Sequence, residues 1–244
     1  MPKPFLSVII PAYNEEKRIE STLQSIFDYL SKQNYGWEVI IVSDGSKDKT
    51  VEAAEEFSKN HGGFRVIGNI ENHGKGYVVR QGTLEAKGEF RLFTDADNST
   101  SIEQIENFLP HFKNGYDIAI GSIEIGGAKI FENAQWYRRA LGHYSKFIIR
   151  AIAGLWEIHD SQRGFKCFTA KAAEDIFSRV KIDRFGFDIE VLALAKRLGY
   201  KVKEIPVVWK NAGESKVSLK SYFEVLKDLF RIRFWLWTNS YKGK

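Results

Sequence analysis

The sequence predicts an α/β fold: a mostly parallel sheet with helices on both faces, followed by an amphipathic C-terminal helix. Three observations predict it. Short strand-like runs alternate with helical ones through the first half of the chain. Each run is apolar throughout, as expected of strands covered on both faces. The polar clusters fall just after those runs, at the strand ends where open α/β sheets bind ligands.

Leu6–Pro11 is the first apolar strand, and Glu15–Lys32 has helical spacing through Ile19, Leu23, Ile26, Phe27 and Leu30. Trp37–Val42 is the second strand, Asp48–Asn60 a helix, and Phe64–Asn69 the third strand. Gly74–Glu85 reads as a loop entering a helix, Glu89–Thr94 as the fourth strand, Ile102–Phe112 as a helix and Tyr116–Gly121 as the fifth strand. The second half is less regular. Residues 122–134 read as a loop. Gln135–Trp156 reads as a helix with an aromatic face (Trp136, Tyr137, Tyr144, Phe147) and a basic one (Arg138, Arg139, Lys146, Arg150). Phe187–Leu198 is helical, Val202–Val208 a late strand, Gly213–Val217 a loop and Leu219–Trp237 a final helix. The expected division is a catalytic domain over 1–217, with halves at about 1–121 and 122–217, and an interfacial helix and tail over 218–244.

Composition narrows the function. The 244 residues are 43% hydrophobic, enough for one sizeable core. The formal net charge of +5 is concentrated in residues 215–244, which hold seven Lys/Arg against Glu224 and Asp228. The rest is balanced, which argues against a nucleic-acid binder and for a basic tail with its own role. The single Cys167 excludes an internal disulfide and fits a reducing compartment. Met1-Pro2-Lys3-Pro4 runs straight into a strand, so no leader is expected. No run of about 20 apolar residues is present to span a bilayer. The expectation is a cytoplasmic protein held peripherally at the inner membrane face.

Asp95-Ala96-Asp97 follows the fourth strand. Two carboxylates two residues apart at a strand's end can converge on one hard cation, Mg²⁺ or Mn²⁺, whose other ligands are substrate phosphates. Capping of the next helix by Asn98, Ser99, Thr100 and Ser101 is the structural alternative. After the second strand, Asp44-Gly45-Ser46 with Asp48 and Thr50 offers a carboxylate for a base or ribose, or equally a turn and cap. Asn72-His73-Gly74-Lys75-Gly76 lets the backbone approach a ligand while Lys75 reaches for phosphate, without the spacing of a Walker loop.

Taken in order, SVIIPAYNEEKRI, VSDGSKDKT, NHGKGYVVRQG, TDADNST, DSQRGFKCFT, RFGFDIEVLALA and GESKV resemble the family-2 inverting glycosyltransferases of GT-A fold. Within them the chain is similar to the dolichyl- or polyprenyl-phosphate sugar transferases, closest to the glucosyltransferase branch. The runs extend over about residues 6–217. The resemblance implies a hexosyltransferase using Mg²⁺ or Mn²⁺. UDP-glucose is the implied donor, with GDP-mannose the alternative, and polyprenyl or dolichyl phosphate the acceptor. It implies that Pro11, Tyr13, Glu15 and Asp44 line the nucleotide pocket. Asp95, Ala96 and Asp97 would flank diphosphate and metal, with Ser99 near the metal where relatives often carry Gln, and Lys75 and Arg80 near the diphosphate. Arg139 would face the acceptor phosphate. Asp160, Gln162 and Lys166 would lie near sugar and acceptor, and Ser215 and Lys216 on a loop closing over the diphosphate. Asp95, Asp97, Arg139 and Lys216 are the implied catalytic set.

Two positions depart from the pattern. Ser43 stands where relatives usually have an acid, and Ile123 follows Gly121-Ser122 where they often have Arg, leaving Arg138 or Lys129 to substitute. A phosphate acceptor is already an anion and needs cations rather than a base. A saccharide or lipid hydroxyl, the rival acceptor, would need one, with Asp160 and Asp188 as candidates and a cap or ion pair the expected role of Asp188. A non-catalytic nucleotide-sugar or membrane-binding module is the rival of another class. In the tail, Leu219, Tyr222, Phe223, Leu226, Leu229, Phe230 and Trp237 share one helical face, and Lys220, Glu224, Lys227, Asp228 and Arg231 the other. That suits a membrane interface; a domain contact or a homodimer contact is the alternative.

Overall fold

The computed structural model describes residues 3–131, 147–210 and 219–241. The chain runs β1 (Leu6–Ala12), α1 (Ile19–Leu30), β2 (Trp37–Asp44), α2 (Thr50–Asn60), β3 (Phe64–Asn69), α3 (Lys75–Glu85) and β4 (Phe90–Thr94). A 3₁₀ turn (Ile102–Asn107), α4 (Leu109–Lys113), β5 (Ile118–Ser122), β6 (Lys129–Phe131) and the helical residues 147–153 (α5) follow. Then come β7 (Phe165–Thr169), α6 (Ala170–Phe177), α7 (Phe187–Arg197), β8 (Val202–Pro206), β9 (Val208–Lys210) and α8 (Leu219–Trp237). The five early strands stand where the apolar runs put them. The helix expected over Ile102–Phe112 is instead a 3₁₀ turn and a short α4, because Pro110 has no N–H for a helix interior and sits in α4's first turn.

Seven strands form one sheet in the order β3-β2-β1-β4-β7-β5-β8, and β6 pairs with β9 in a separate ribbon. All neighbours in the large sheet are parallel except β7, which runs antiparallel between β4 and β5. Side chains alternate between two cores. Ile9, Ile40, Val42, Phe93, Ile120 and Phe168 face a layer of α3, α6, α7 and part of α8. Val8, Ile10, Val39, Ile41, Leu92 and Cys167 face α1, α2 and the 3₁₀ turn. Helix α3 comes close because residue 82 is glycine: a Cβ there would stand 2.6 Å from Ile9 Cγ2. Helix α7 is buried from Phe187 to Ala195, with Asp188 and Glu190 among the buried residues.

Helix α8 is not a free appendage. Leu229 and Ile232 are buried and Val225, Trp235 and Leu236 pack against the same core. Leu229, grouped on the sequence with the outward aromatics, lies at the rim of that face and turns inward. The end of α8 is tied down as well. Arg197 Nη1 donates to the Leu236 carbonyl (3.0 Å), and Tyr241 Oη donates to Glu190 (2.7 Å).

Candidate active site

The clusters after β1, β2 and β4 come together along the sheet's C-terminal edge. The first two brace one another. Glu15 N donates to Thr50 Oγ1 (2.7 Å), Glu16 N to Asp48 (3.1 Å), Lys47 N to Asn14 Oδ1 (2.8 Å), and Asn14 N to Ser46 Oγ (3.1 Å). Asn14 adopts φ 51°, a left-handed turn that asparagine tolerates. Pro11 is the penultimate residue of β1, and Tyr13 follows that strand at the same edge. Glu15 pairs with Arg18, whose guanidinium is pushed above its ordinary pKa by that bond, with Asp97 and Asp95 adding to the effect.

Asp44, at the end of β2, is 4% exposed. Its Oδ1 accepts the amides of His73 (2.7 Å) and Gly74 (3.1 Å), and its Oδ2 also accepts Gly74 N (2.9 Å). The carboxylate therefore organises the glycine loop that opens α3. Gly74 sits at φ 109° against the Asp183 carbonyl, where a Cβ would stand at 2.5 Å. Lys75 is thus delivered from a fixed backbone. Arg80, a turn and a half later, reaches the 180–183 segment through the Val180 carbonyl (3.1 Å) and Asp183 (2.8 Å).

The Asp-x-Asp turn is held from three sides. Thr22 Oγ1 donates to the Ala96 carbonyl (2.8 Å), Asp95 N donates to the Gly164 carbonyl (3.2 Å), and Lys210 N donates to the Ser99 carbonyl (2.9 Å). Asp97 Oδ1 accepts Ser99 N (2.9 Å), a local turn bond, whereas Ser101, which precedes the 3₁₀ turn, makes no side-chain cap bond, so the capping expected of this segment is not what holds it; Ser99 itself is buried. Asp95 Oδ1 pairs with Lys75 Nζ at 2.6 Å. Burial opposes the Lys75 charge, but Asp95, Asp188 and Asp97 outweigh it and hold its pKa above the ordinary lysine value. Gly164 lies directly against Asp95: a Cβ on residue 164 would overlap the carboxylate.

Beside Gly164, the segment leading into β7 carries a buried polar frame. Lys166 is fully buried, with Nζ donating to Asp188 Oδ1 (2.5 Å) and to the Arg163 carbonyl (2.5 Å). Burial lowers the Lys166 pKa and raises that of Asp188. The ion pair expected of Asp188 is present. Asp160, 3% exposed, accepts Ile123 N (3.2 Å) and Arg163 Nε (3.3 Å). Glu204 of β8 accepts Asp160 N (2.8 Å), His159 N (2.9 Å) and His159 Nδ1 (2.8 Å). The Arg163 guanidinium stacks over Trp209 at 4.8 Å. Gln162 is exposed. Arg138, Arg139, Ser215 and Lys216 lie outside the described residues.

The structure therefore unites Glu15, Asp44, Lys75, Asp95 and Asp97 at one edge. It adds residues that the sequence did not single out: Gly164, Arg18, Arg163, Glu204 and Trp209. Arg18, Arg163 and Gly164 lie inside the SVIIPAYNEEKRI and DSQRGFKCFT runs, whereas Glu204 and Trp209 carried no such local signal. Asp95 and Asp97 offer hard oxygen donors suited to Mg²⁺ or Mn²⁺. Among the described residues no three His, Cys, Asp or Glu side chains converge to hold an ion unaided. Phosphate oxygens of a bound substrate would complete the coordination.

The family model described as glycosyl transferase family 2 matches residues 7–177. The chain is 37% identical to the dolichyl-phosphate beta-glucosyltransferase of Drosophila melanogaster, over 93% of this chain and 74% of that protein. It is 33% identical to the human protein of that description, over 99% and 78%. Its fold is similar to that of glucosyl-3-phosphoglycerate synthase from Mycobacterium tuberculosis, solved with Mn²⁺, UDP and glucosyl-3-phosphoglycerate. The TM-score is 0.69 at 19% identity, covering 95% of this chain and 80% of that one.

Proposed function

The chain belongs to glycosyltransferase family 2, and from that premise we propose that it transfers glucose from UDP-glucose to a dolichyl or polyprenyl phosphate, with inversion and with Mg²⁺ or Mn²⁺. The observation that carries this reading is the Asp95-Ala96-Asp97 turn at the end of β4, clamped by Gly164 and faced by Lys75. A bound divalent cation would neutralise charge developing on the leaving diphosphate. Lys75, at the N-terminus of α3, contributes to the same end, since a helix N-terminus favours phosphate. The acceptor phosphate oxygen attacks the anomeric carbon as the bond to the β-phosphate oxygen breaks, and the nucleoside diphosphate departs with the bonding pair. The Drosophila and human relatives are described as beta-glucosyltransferases; from an α-linked donor such as UDP-glucose, a β-linked product requires inversion.

The choice of acceptor is supported by how the carboxylates are used. A hydroxyl acceptor needs a general base. Asp188 is bound to Lys166, and Asp160 to Ile123 N and Arg163. A phosphate acceptor needs neither of them. Access to a lipid is supported by α8, whose Phe223, Leu226, Phe230, Phe234 and Trp237 are exposed along one stripe beside Lys227, Arg231 and Arg233. Lys196 and Arg197, consecutive on α7, donate to the carbonyls of Gly154 and Leu236, so the exposed Trp156 belongs to the same end of the molecule. No helix among the described residues is long and apolar enough to cross a membrane.

Asp97→Asn, assayed for transfer to a polyprenyl phosphate with Mn²⁺ supplied, is expected to lose about 100-fold or more in rate. Full activity would sink the reading. Transfer to a hydroxyl acceptor in preference to the lipid phosphate would overturn the acceptor assignment.

A further inference from the structure

Lys75 is a cation in the first turn of α3, where the helix's own dipole disfavours positive charge. Its position is explained by its partner, the Asp95 carboxylate at 2.6 Å. Neither partner has backbone freedom. Lys75 follows Gly74, which is wedged against the Asp183 carbonyl and bonded to Asp44, and the Asp95 backbone is tied by its N–H to the Gly164 carbonyl (3.2 Å). The side chains themselves are reachable, 22% exposed for Lys75 and 35% for Asp95. The other acid whose field reaches Lys75 strongly, Asp188, is already engaged by Lys166 at 2.5 Å.

We propose that Lys75 is the resident counter-ion of Asp95, so that a divalent cation must compete with it for that carboxylate, and a nucleoside diphosphate relieves the competition by giving Lys75 a new partner. The inference rests on the metal-dependent reading above and deepens it. A divalent cation arriving alone would meet an ammonium already seated on one of its two carboxylates. A diphosphate arriving with the metal supplies oxygens to both the ion and Lys75, at a helix N-terminus that favours phosphate. Metal and nucleotide then bind with positive coupling, reciprocal by necessity, and Lys75 carries part of it. The side-chain ammonium alone needs to move.

The test is Mn²⁺ binding to the purified full chain, followed by the loss of the free-ion electron spin resonance signal, without and with UDP. For Lys75→Gln, Mn²⁺ affinity of the nucleotide-free protein should rise on the order of tenfold. The factor by which UDP tightens Mn²⁺ should shrink correspondingly. Lys75→Arg keeps the charge and should behave like the wild type. Asp95→Asn should lose Mn²⁺ binding in both conditions. Equal or weaker Mn²⁺ binding by nucleotide-free Lys75→Gln overturns the proposal, as does Lys75→Arg behaving like Lys75→Gln. If the wild type binds no Mn²⁺ even with UDP, or Asp95→Asn retains binding, the metal reading itself fails along with the inference. Thermal melts within a few degrees of the wild type identify folded variants, and Lys75→Met, which also removes the charge, takes the place of Lys75→Gln with the same expected and overturning results if that variant fails to fold.

Discussion

The two halves of this molecule use charge differently. In residues 3–122 the acids and bases that matter stand at strand ends, partly exposed: Glu15, Lys75, Asp95 and Asp97. In residues 147–210 the notable charges are buried. Lys166 and Glu190 are at 0% exposure, Asp160 at 3% and Asp188 at 4%. Each is matched inside the protein: Lys166 with Asp188, Asp160 with Arg163 and Ile123 N, and Glu190 with Lys181 N, Ile182 N and the Tyr241 hydroxyl. Burial pushes the Glu190 pKa up, and bonds from those donors partly offset it. In the first half most of the site's charges stand partly exposed, Asp44 with its bonds to the His73 and Gly74 amides being the exception, while in the second half they are spent on architecture. The two meet at the contact of Gly164 with Asp95.

The sharpest way to break that contrast is to remove one member of the buried pair. Lys166→Met leaves the Asp188 carboxylate buried without its counter-charge and is expected to cost about 3–5 kcal/mol, read by denaturant unfolding. Adding Asp188→Leu should recover most of that loss. A single variant as stable as the wild type would show that Lys166 is stationed for a ligand after all. Next comes the contact between the halves. Gly164→Ala should displace the Asp95 carboxylate and cut transfer about 100-fold, because small misplacements of reacting groups are costly, while overpacking lowers stability by only about 1–3 kcal/mol. Unchanged activity would separate Asp95 from the chemistry. The smallest effect lies at the surface. Replacing Phe230, Phe234 and Trp237 together with Ser should weaken sedimentation with anionic liposomes roughly tenfold while shifting stability by about 0.5 kcal/mol or less per site. If liposome binding is unchanged and the protein instead changes its oligomeric state, the stripe is a contact between copies.

Legibility in the sequence followed locality. Strands β1 to β5 are mostly apolar runs in regular alternation with helices, so one-dimensional reading located them. Strand β7 was missed because it stands outside the regular strand–helix alternation that located β4, whose FRLFT carries a charge at the same second position as FKCFT, and nothing local says that the Lys166 ammonium will find Asp188 on α7. Helix α6 was missed beside it, although Thr169 is a good N-cap whose hydroxyl accepts Ala172 N at 3.3 Å. The Asp-x-Asp pair was legible because both carboxylates sit within three residues. Glu204, which fixes the 159–160 segment from the edge strand β8, carries no local mark at all. On α8 the helical period separated an apolar stripe from a charged face. Packing decided that Leu229 turns inward and that the aromatic stripe is a second apolar surface, on the side away from the core.

By itself the sequence determined the parallel α/β frame, the strand ends that carry the polar clusters, and the acidic pair after β4, because each depends on residues adjacent in the chain. Only the tertiary structure decided the antiparallel entry of β7 between β4 and β5, the burial of Lys166 against Asp188, and the seating of Gly164 and Lys75 on Asp95. Those depend on which distant side chains share a low-dielectric space. There the energy of a charge is set by its neighbours and not by its place in the sequence.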